Sequence, residues 1–173
     1  MHKAAQLIKS FKLVSVEQHQ DASCEFNLHD NFSDITHSLQ HALRAKNISL
    51  NNLIPKDIVI TSFPGIFYQI YTNLINNATL HAFEDQQQGE IKVAAMIKGD
   101  ALSVTFSDNG KGMPKGVFDQ LFVPFFTTKR GIGGSGLGMS IVNTLVTEKL
   151  KGKIRANSEE GIGTSFVIDL KIS

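Results

Sequence analysis

Two asparagines and a histidine in one run have the spacing to hold something polar. In YTNLINNATLHAF, Asn73, Asn77 and His81 fall at i, i+4 and i+8. A helix advancing about 100° per residue puts them in one stripe. Phe67, Ile70, Tyr71, Leu74 and Ala78 form the apolar face beside it. Asn is a poor helix former, so two of them one turn apart work against the helix that carries them. A half-buried amide carbonyl is a hard, neutral oxygen ligand. Mg2+ takes one or two such protein oxygens and fills its other positions with phosphate and water. The same stripe also suits a polar helix edge in water, and His81 a surface histidine.

A second group lies in SDNGKGMP, 107–114. Leu102, Val104 and Phe106 share a strand face by period two, and Asp108 has their parity. Its carboxylate points inward, where an unpaired charge is costly, so it needs a donor. The exocyclic amine of adenine would serve, with Gly110 and Gly112 letting a flat base approach the backbone. An ordinary Asp-Asn-Gly turn fits the same letters. Thr164 shares parity with Phe166, Ile168 and Leu170. Its hydroxyl therefore faces inward and could reach Asp108 through water, although threonine is also simply a good strand former.

The third group is GIGGSGLGMS, 131–140, with glycine at 131, 133, 134, 136 and 138. Glycine loses the most entropy on folding, so a cluster needs a reason. Gly131-x-Gly133-x-x-Gly136 fits the dinucleotide fingerprint, but that motif must follow a buried parallel strand. Here LFVPFFTTKR precedes it, with Pro124 mid-run and a polar end. A Walker loop fails as well, because no Lys-Ser or Lys-Thr follows the last glycine. What remains is a helix opening at Ser135-Gly136-Leu137-Gly138, whose free N–H groups make an anion site behind a mobile glycine lid. A flexible surface loop is the plainer alternative.

The elements that must position these groups can be read from the pattern. CEFNL suits an edge strand, and a helix from about Phe32 to Lys46 carries Ile35, Leu39 and Leu43 on one stripe. NISL and DIVITSF read as short strands. Pro64 and Gly65 open the helix that continues to about Phe83. EIKVAAMIK and ALSVTFSD form a hairpin through Gly99-Asp100. A helix follows the glycines and ends in EKLKG, with Gly152 as its cap. KIRANS and TSFVIDLKI close the chain as a hairpin around 159–163. This predicts a mixed sheet covered by about three helices, a two-layer α/β sandwich.

At 173 residues and 42% hydrophobic content, the chain supports one domain with a real core. A net charge of +1 with interspersed signs argues against a nucleic-acid footprint. No apolar run is long enough to span a membrane, so no membrane contact is expected of this chain. His2 and Lys3 lead into an amphipathic stretch rather than a signal peptide, and Cys24 is alone. A cytoplasmic location follows as the expectation, including the cytoplasmic part of a membrane-bound sensor.

In order, NxxxNA, DNGKG, LFVPFFTTK, GGSGLGMSIV and GIGT resemble the ATP-binding catalytic domain of sensor histidine kinases, within the GHKL ATPase superfamily. The resemblance covers roughly residues 25–173. It implies the Bergerat ATP-binding fold, with a long ATP lid over about 110–136. It implies ATP and Mg2+ as ligands, with Asn77 on the metal, Asn73 beside it as the second catalytic residue, and Ala78 and His81 bordering the nucleotide. Asp108 would meet the adenine amine, with Gly110, Gly112 and Met113 against the base and Thr164 behind. Phe122, Phe125 and Phe126 would pack the lid, and Lys129 would lie near phosphate. Gly134, Ser135, Gly136, Leu137 and Gly138 would border the phosphates.

The resemblance further implies transfer of the γ-phosphate to a histidine on a dimerisation domain, with a response regulator downstream. KAAQLIKSFK looks like only the end of that domain's second helix, giving a helix remnant at 1–15 and a linker at 16–24. None of His2, His19, His29, His37 and His41 has the acceptor's full context, a place on the first helix of a dimerisation domain with an acidic residue following, so the chain reads as the donor part of a larger sensor. A nucleotide-gated interaction module, or a GHKL ATPase without histidine kinase activity, is the alternative. Those relatives often carry an acidic base on the helix where this chain has Asn73. A serine-kinase anti-sigma factor fits less well, given PFFTTK and the helix remnant.

Overall fold

The computed structural model describes residues 22–83, 88–130 and 134–172. The helix expected over 1–15, most of the linker, and Gly131 and Gly133 lie outside these residues. Strand β1 (Cys24–Asn27) pairs antiparallel with β3 (Val59–Ser62), making a two-stranded ribbon apart from the main sheet. Helix α1 runs Leu28–Arg44, so it starts before Phe32 and stops before Lys46, contrary to the sequence reading. Asn27 explains the early start: its side-chain oxygen accepts from the Asp30 N–H at 3.0 Å. Leu28, Phe32 and Ile35 then fall at helical spacing, and all three are fully buried.

The main sheet has the order β2-β4-β5-β7-β6. Its strands are β2 (Ile48–Leu53), β4 (Gly89–Lys98), β5 (Ala101–Asp108), β6 (Lys153–Glu159) and β7 (Gly163–Lys171). Only β2 and β4 run parallel; the other neighbours are antiparallel, as the two hairpins require. Ile91, Val93, Leu102, Val104, Phe106, Phe166, Ile168 and Leu170 share the buried face. The opposite face is polar: there Ser103 donates to Asp169 at 2.8 Å, and Arg155 pairs with the same carboxylate at 2.6 Å. One buried face and one solvated face make this the two-layer α/β sandwich that the sequence predicts.

Helix α2 spans Pro64–Asn77, with Pro64 in its first turn. Ile66, Phe67, Ile70, Tyr71, Leu74 and Ile75 are buried against the sheet. Each such side chain contributes about 1.5–3 kcal/mol on burial. The asparagines cost at most about 0.7 kcal/mol each in helix propensity, so packing decides the helix. Past Asn77 the helix widens into a π-helical turn over Ala78–Ala82. His81 sits in that wider turn, which spacing alone did not show.

Helix α3 (Lys115–Phe118) is short and lies in the segment expected to be a lid. Helix α4 (Gly138–Thr144) packs beside α2 and runs into a second π-helical turn, Leu145–Lys149. Met139, Val142 and Val146 seal it to the core. The predicted cap at Gly152 needs revision. Lys151 takes the left-handed conformation, with φ 53°, and Gly152 donates to the Val146 carbonyl at 2.8 Å. A Cβ on Gly152 would sit 2.3 Å from the Leu170 side chain and 2.6 Å from the Asp169 carbonyl, so that glycine is set by contact with β7.

Candidate active site

A cavity of about 820 Å³ opens between α2, the loop after β5, the segment 121–128 and the glycine stretch before α4. Asn73, Asn77, His81, Gly112, Met113, Gly134, Ser135, Gly136 and Gly138 line it, so four separated motifs meet around one space. A second hollow of about 810 Å³ lies between α1 and β2 and holds none of the residues expected to bind nucleotide.

On α2, the Asn73 side-chain amide donates to the Gln69 carbonyl at 2.9 Å. This fixes the amide and leaves its oxygen toward α4, 3.3 Å from where a Cβ on Gly138 would stand. Asn77, one turn on, is half-buried and faces the cavity. His81 Nδ1 lies 3.0 Å from the Thr128 hydroxyl, a bond between α2 and the far wall. Burial holds the imidazole's basicity below its ordinary value, and the ammonium groups of Lys129 and Lys111 lower it further.

Asp108 ends β5, half-buried, with the inward parity expected. Its carboxylate accepts from the Gly110 N–H at 2.9 Å and from the Thr164 N–H. Burial pushes its carboxyl above the usual aspartate range, and these two hydrogen bonds oppose the shift. The inward charge is therefore partly satisfied by backbone. Thr164 meets Asp108 directly through its N–H, and its hydroxyl lies 2.9 Å from the Ser158 hydroxyl. Ser158 went unnoticed in the sequence, although its oxygen also accepts from the Met113 N–H at 2.9 Å and so fixes the cavity wall. Its only signal was its position opposite Thr164 on the neighbouring strand.

Gly110 and Gly112 were expected to admit a base. Gly110 is buried beneath Ala82, where a Cβ would stand 2.3 Å from the Ala82 Cβ. Gly112 has φ +66°, and a Cβ there would meet the Glu159 carbonyl at 2.0 Å. Both glycines are required by the protein's own packing, and only Gly112 also lines the cavity. Gly112→Ala is expected to cost about 3 kcal/mol or more in denaturant unfolding, from left-handed strain plus the backbone clash. Gly99→Ala is the control: φ is +63° with nothing within 4 Å, so strain alone, about 1 kcal/mol, should appear.

The remaining expectations divide. Gly136, with φ +71°, lies against the Phe125 backbone, and its carbonyl accepts from the Phe125 N–H at 2.8 Å. The glycine stretch is thus strapped to the PFF segment. Ser135 and Gly136 precede the helix, because α4 begins only at Gly138 with Leu137 as its cap. Phe126 walls the cavity, Phe125 is 51% exposed, and Phe122 packs on the core instead of lining the cavity. Ala78 is a core residue, and Asp108, Gly110, Lys129, Leu137 and Thr164 stand outside the lining. Leu80, Lys111, Val117, Leu121, Thr128 and Glu160 line the cavity and were missed. The apolar ones look like ordinary core letters, and only the fold turns them inward.

A sequence model of the family described as histidine kinase-, DNA gyrase B-, and HSP90-like ATPase matches residues 64–173, from the start of α2 through β7 and so across every wall of the cavity. The chain belongs to this ATPase family. Within it, the chain is 34% identical over 136 residues to the sensor protein kinase WalK of Staphylococcus aureus, a match covering 76% of this chain and 32% of that protein. In strain JH9 the covered share of WalK is 22%. The chain therefore spans about a third or less of these relatives' length. Among solved structures, the nucleotide-free catalytic domain of histidine kinase ThkA matches with a TM-score of 0.74 and 26% identity, covering 87% of this chain and 95% of that one. Acinetobacter baumannii histidine kinase AdeS shares the fold, with a TM-score of 0.75, 18% identity, and coverage of 98% and 77%. This member of the ATPase family is thus built as a histidine kinase catalytic domain. Among the described residues, no helix is long and apolar enough to cross a membrane.

Proposed function

We propose that this cavity binds ATP with Mg2+, and that the chain donates the γ-phosphate to a histidine on a dimerisation domain outside it. One observation carries the reading. Asn73 and Asn77 line the same cavity as Gly134, Gly136 and Gly138, and the Asn73 oxygen stands beside Gly138. Neutral amide side chains and glycine backbone around one space suit a metal-bound polyphosphate. Among the described residues, no group of three or more His, Cys, Asp or Glu could hold a metal, so a dedicated carboxylate cage is not the design. The residues fit Mg2+ bound through Asn77, with Asn73 beside it. When bound, Mg2+ neutralises phosphate charge. Asp108, at the end of β5, would accept from the adenine amine.

In the transfer, an imidazole nitrogen attacks the γ-phosphorus and the bond to the ADP oxygen breaks. ADP leaves and the imidazole loses its proton. Positioning and charge neutralisation do most of the work in phosphoryl transfer. Asn73 cannot take a proton from water, which favours the imidazole acceptor over hydrolysis. The described histidines do not suit the acceptor role: His29 is tied to the Ile54 carbonyl at 2.7 Å, and His81 to Thr128. His37 and His41 lie on α1, which supplies none of the cavity lining. We place this activity in the cytoplasm, in a kinase that passes phosphate on to a response regulator.

The test uses γ-labelled ATP with this chain alone and with an added dimerisation domain carrying its own acceptor. Acid-labile label should appear on the added domain and not on this chain, and weakly, because the two are untethered. Stoichiometric acid-labile label on this chain would refute the external acceptor. Rapid phosphate release without transfer would favour an ATPase without histidine kinase activity.

A further inference from the structure

We propose that Lys111 grips the phosphate chain of the nucleotide and sets the preference for triphosphate over the bare nucleoside. The proposal rests on the ATP reading of the cavity and adds a residue to it. Among the described lining residues, Lys111 is the only lysine or arginine. Helix α2 offers the cavity Asn73, Asn76, Asn77, Leu80 and His81, none of them a fixed cation. A polyanion in this space therefore meets its cationic side chain from the loop after β5.

The backbone at Lys111 is held from both sides. Its N–H donates to the Ala82 carbonyl at 2.9 Å, and its carbonyl accepts from the Gly161 N–H at 2.8 Å. Gly112, the next residue, is locked against Glu159. The side chain thus springs from a fixed base, and a lysine ammonium is a compact point charge suited to phosphate. Lys111 and His81 line the same cavity, and the ammonium groups of Lys129 and Lys111 both depress the basicity of His81. The Lys111 charge is felt on the side of the cavity where His81 meets Thr128, close to the glycine stretch. Lys129 stands outside the lining, so Lys111 is the cation that borders the space itself. Glu160, the only carboxylate in the described lining, shares the cavity with it.

The experiment is calorimetric titration of the whole chain with ATP·Mg2+, ADP·Mg2+ and adenosine at one ionic strength. Lys111→Gln should weaken ATP about 10- to 100-fold, the range for a hydrogen bond to a charged group. ADP should lose less and adenosine nothing, while Lys111→Arg should keep most of the ATP affinity. The salt dependence of ATP binding should also flatten in Lys111→Gln. Unchanged ATP affinity in Lys111→Gln would overturn the proposal, as would an equal loss for adenosine. Recovery of ATP affinity in the Lys111→Gln, Glu160→Gln double variant would also overturn it, by showing that Lys111 only neutralises Glu160. A wild-type chain that binds no ATP would bring down the ATP reading and this proposal together. A wild type that binds ATP alongside an indifferent Lys111→Gln would bring down this proposal alone.

Discussion

Asn77→Ala should leave the chain folded and remove Mg2+-dependent ATP affinity by about a hundredfold or more. Even outer partners of a metal cost 10- to 100-fold when removed, and Asn77 is placed as a direct ligand. The fold should tolerate the change because Asn77 is half-buried and ends the regular part of α2, after the buried stretch from Ile66 to Ile75. Alanine also suits a helix better than asparagine, by about 0.6 kcal/mol. Titration with ATP in Mg2+ and in EDTA separates metal from nucleotide. The variant in Mg2+ should bind as the wild type does in EDTA. An Asn77→Ala chain that keeps the full Mg2+ effect would remove Asn77 from the metal. Asn73→Ala should be milder in binding and severe in transfer, since its amide is already anchored to Gln69 and its oxygen faces α4.

On the proposed binding mode, Asp108→Asn should weaken ATP, ADP and adenosine alike, because the carboxylate would meet the base and not the phosphates. Loss of a hydrogen bond to a charged acceptor is worth about 1.5–3 kcal/mol, or roughly 10- to 150-fold. GTP should bind the wild type poorly, since its 6-oxo group would set an acceptor against an acceptor. Acid should act on the same contact. Burial raises the Asp108 carboxyl, so on lowering the pH it takes its proton earlier than an ordinary aspartate. Because its folded value lies above the unfolded one, ionised Asp108 costs stability above that range, and the cost fades as the pH falls through the folded value. ATP affinity runs the other way, since the neutral carboxyl loses an acceptor for the adenine amine. The wild type should therefore lose ATP affinity on acidification before ordinary aspartates titrate, and Asp108→Asn should not show that step. Equal GTP and ATP affinity, or an acid step that survives in the variant, would take the base away from Asp108.

Much of this site was legible because its periods are simple. The apolar face of α2, from Phe67 to Leu74, is buried as helical spacing requires, and period two placed Asp108 and Thr164 inward on paired strands. Asn73, Asn77 and the glycines from 134 to 138 were separately ambiguous, and only their meeting around one cavity settles what they face. What stayed hidden depends on contacts between distant segments. The π-helical turn at Ala78–Ala82 has no letter of its own, so His81 was drawn on a straight stripe. Ser158 matters because β6 brings it to Met113, forty-five residues away in sequence. The glycines at 110 and 112 were credited to a ligand, whereas Ala82 and Glu159 already demand them. Lys111 stood inside the DNGKG motif and drew no attention, because its value comes from what surrounds it across the cavity.

A crystal structure of the chain with a non-hydrolysable ATP analogue and Mg2+ tests the central claim most directly. The account predicts the adenine amine against the Asp108 carboxylate, the metal on Asn77, and the phosphates along the stretch from Gly134 to Gly138. Nucleotide seated instead in the hollow between α1 and β2, or lying in this cavity with its base away from Asp108 and its phosphates away from those glycines, would contradict it.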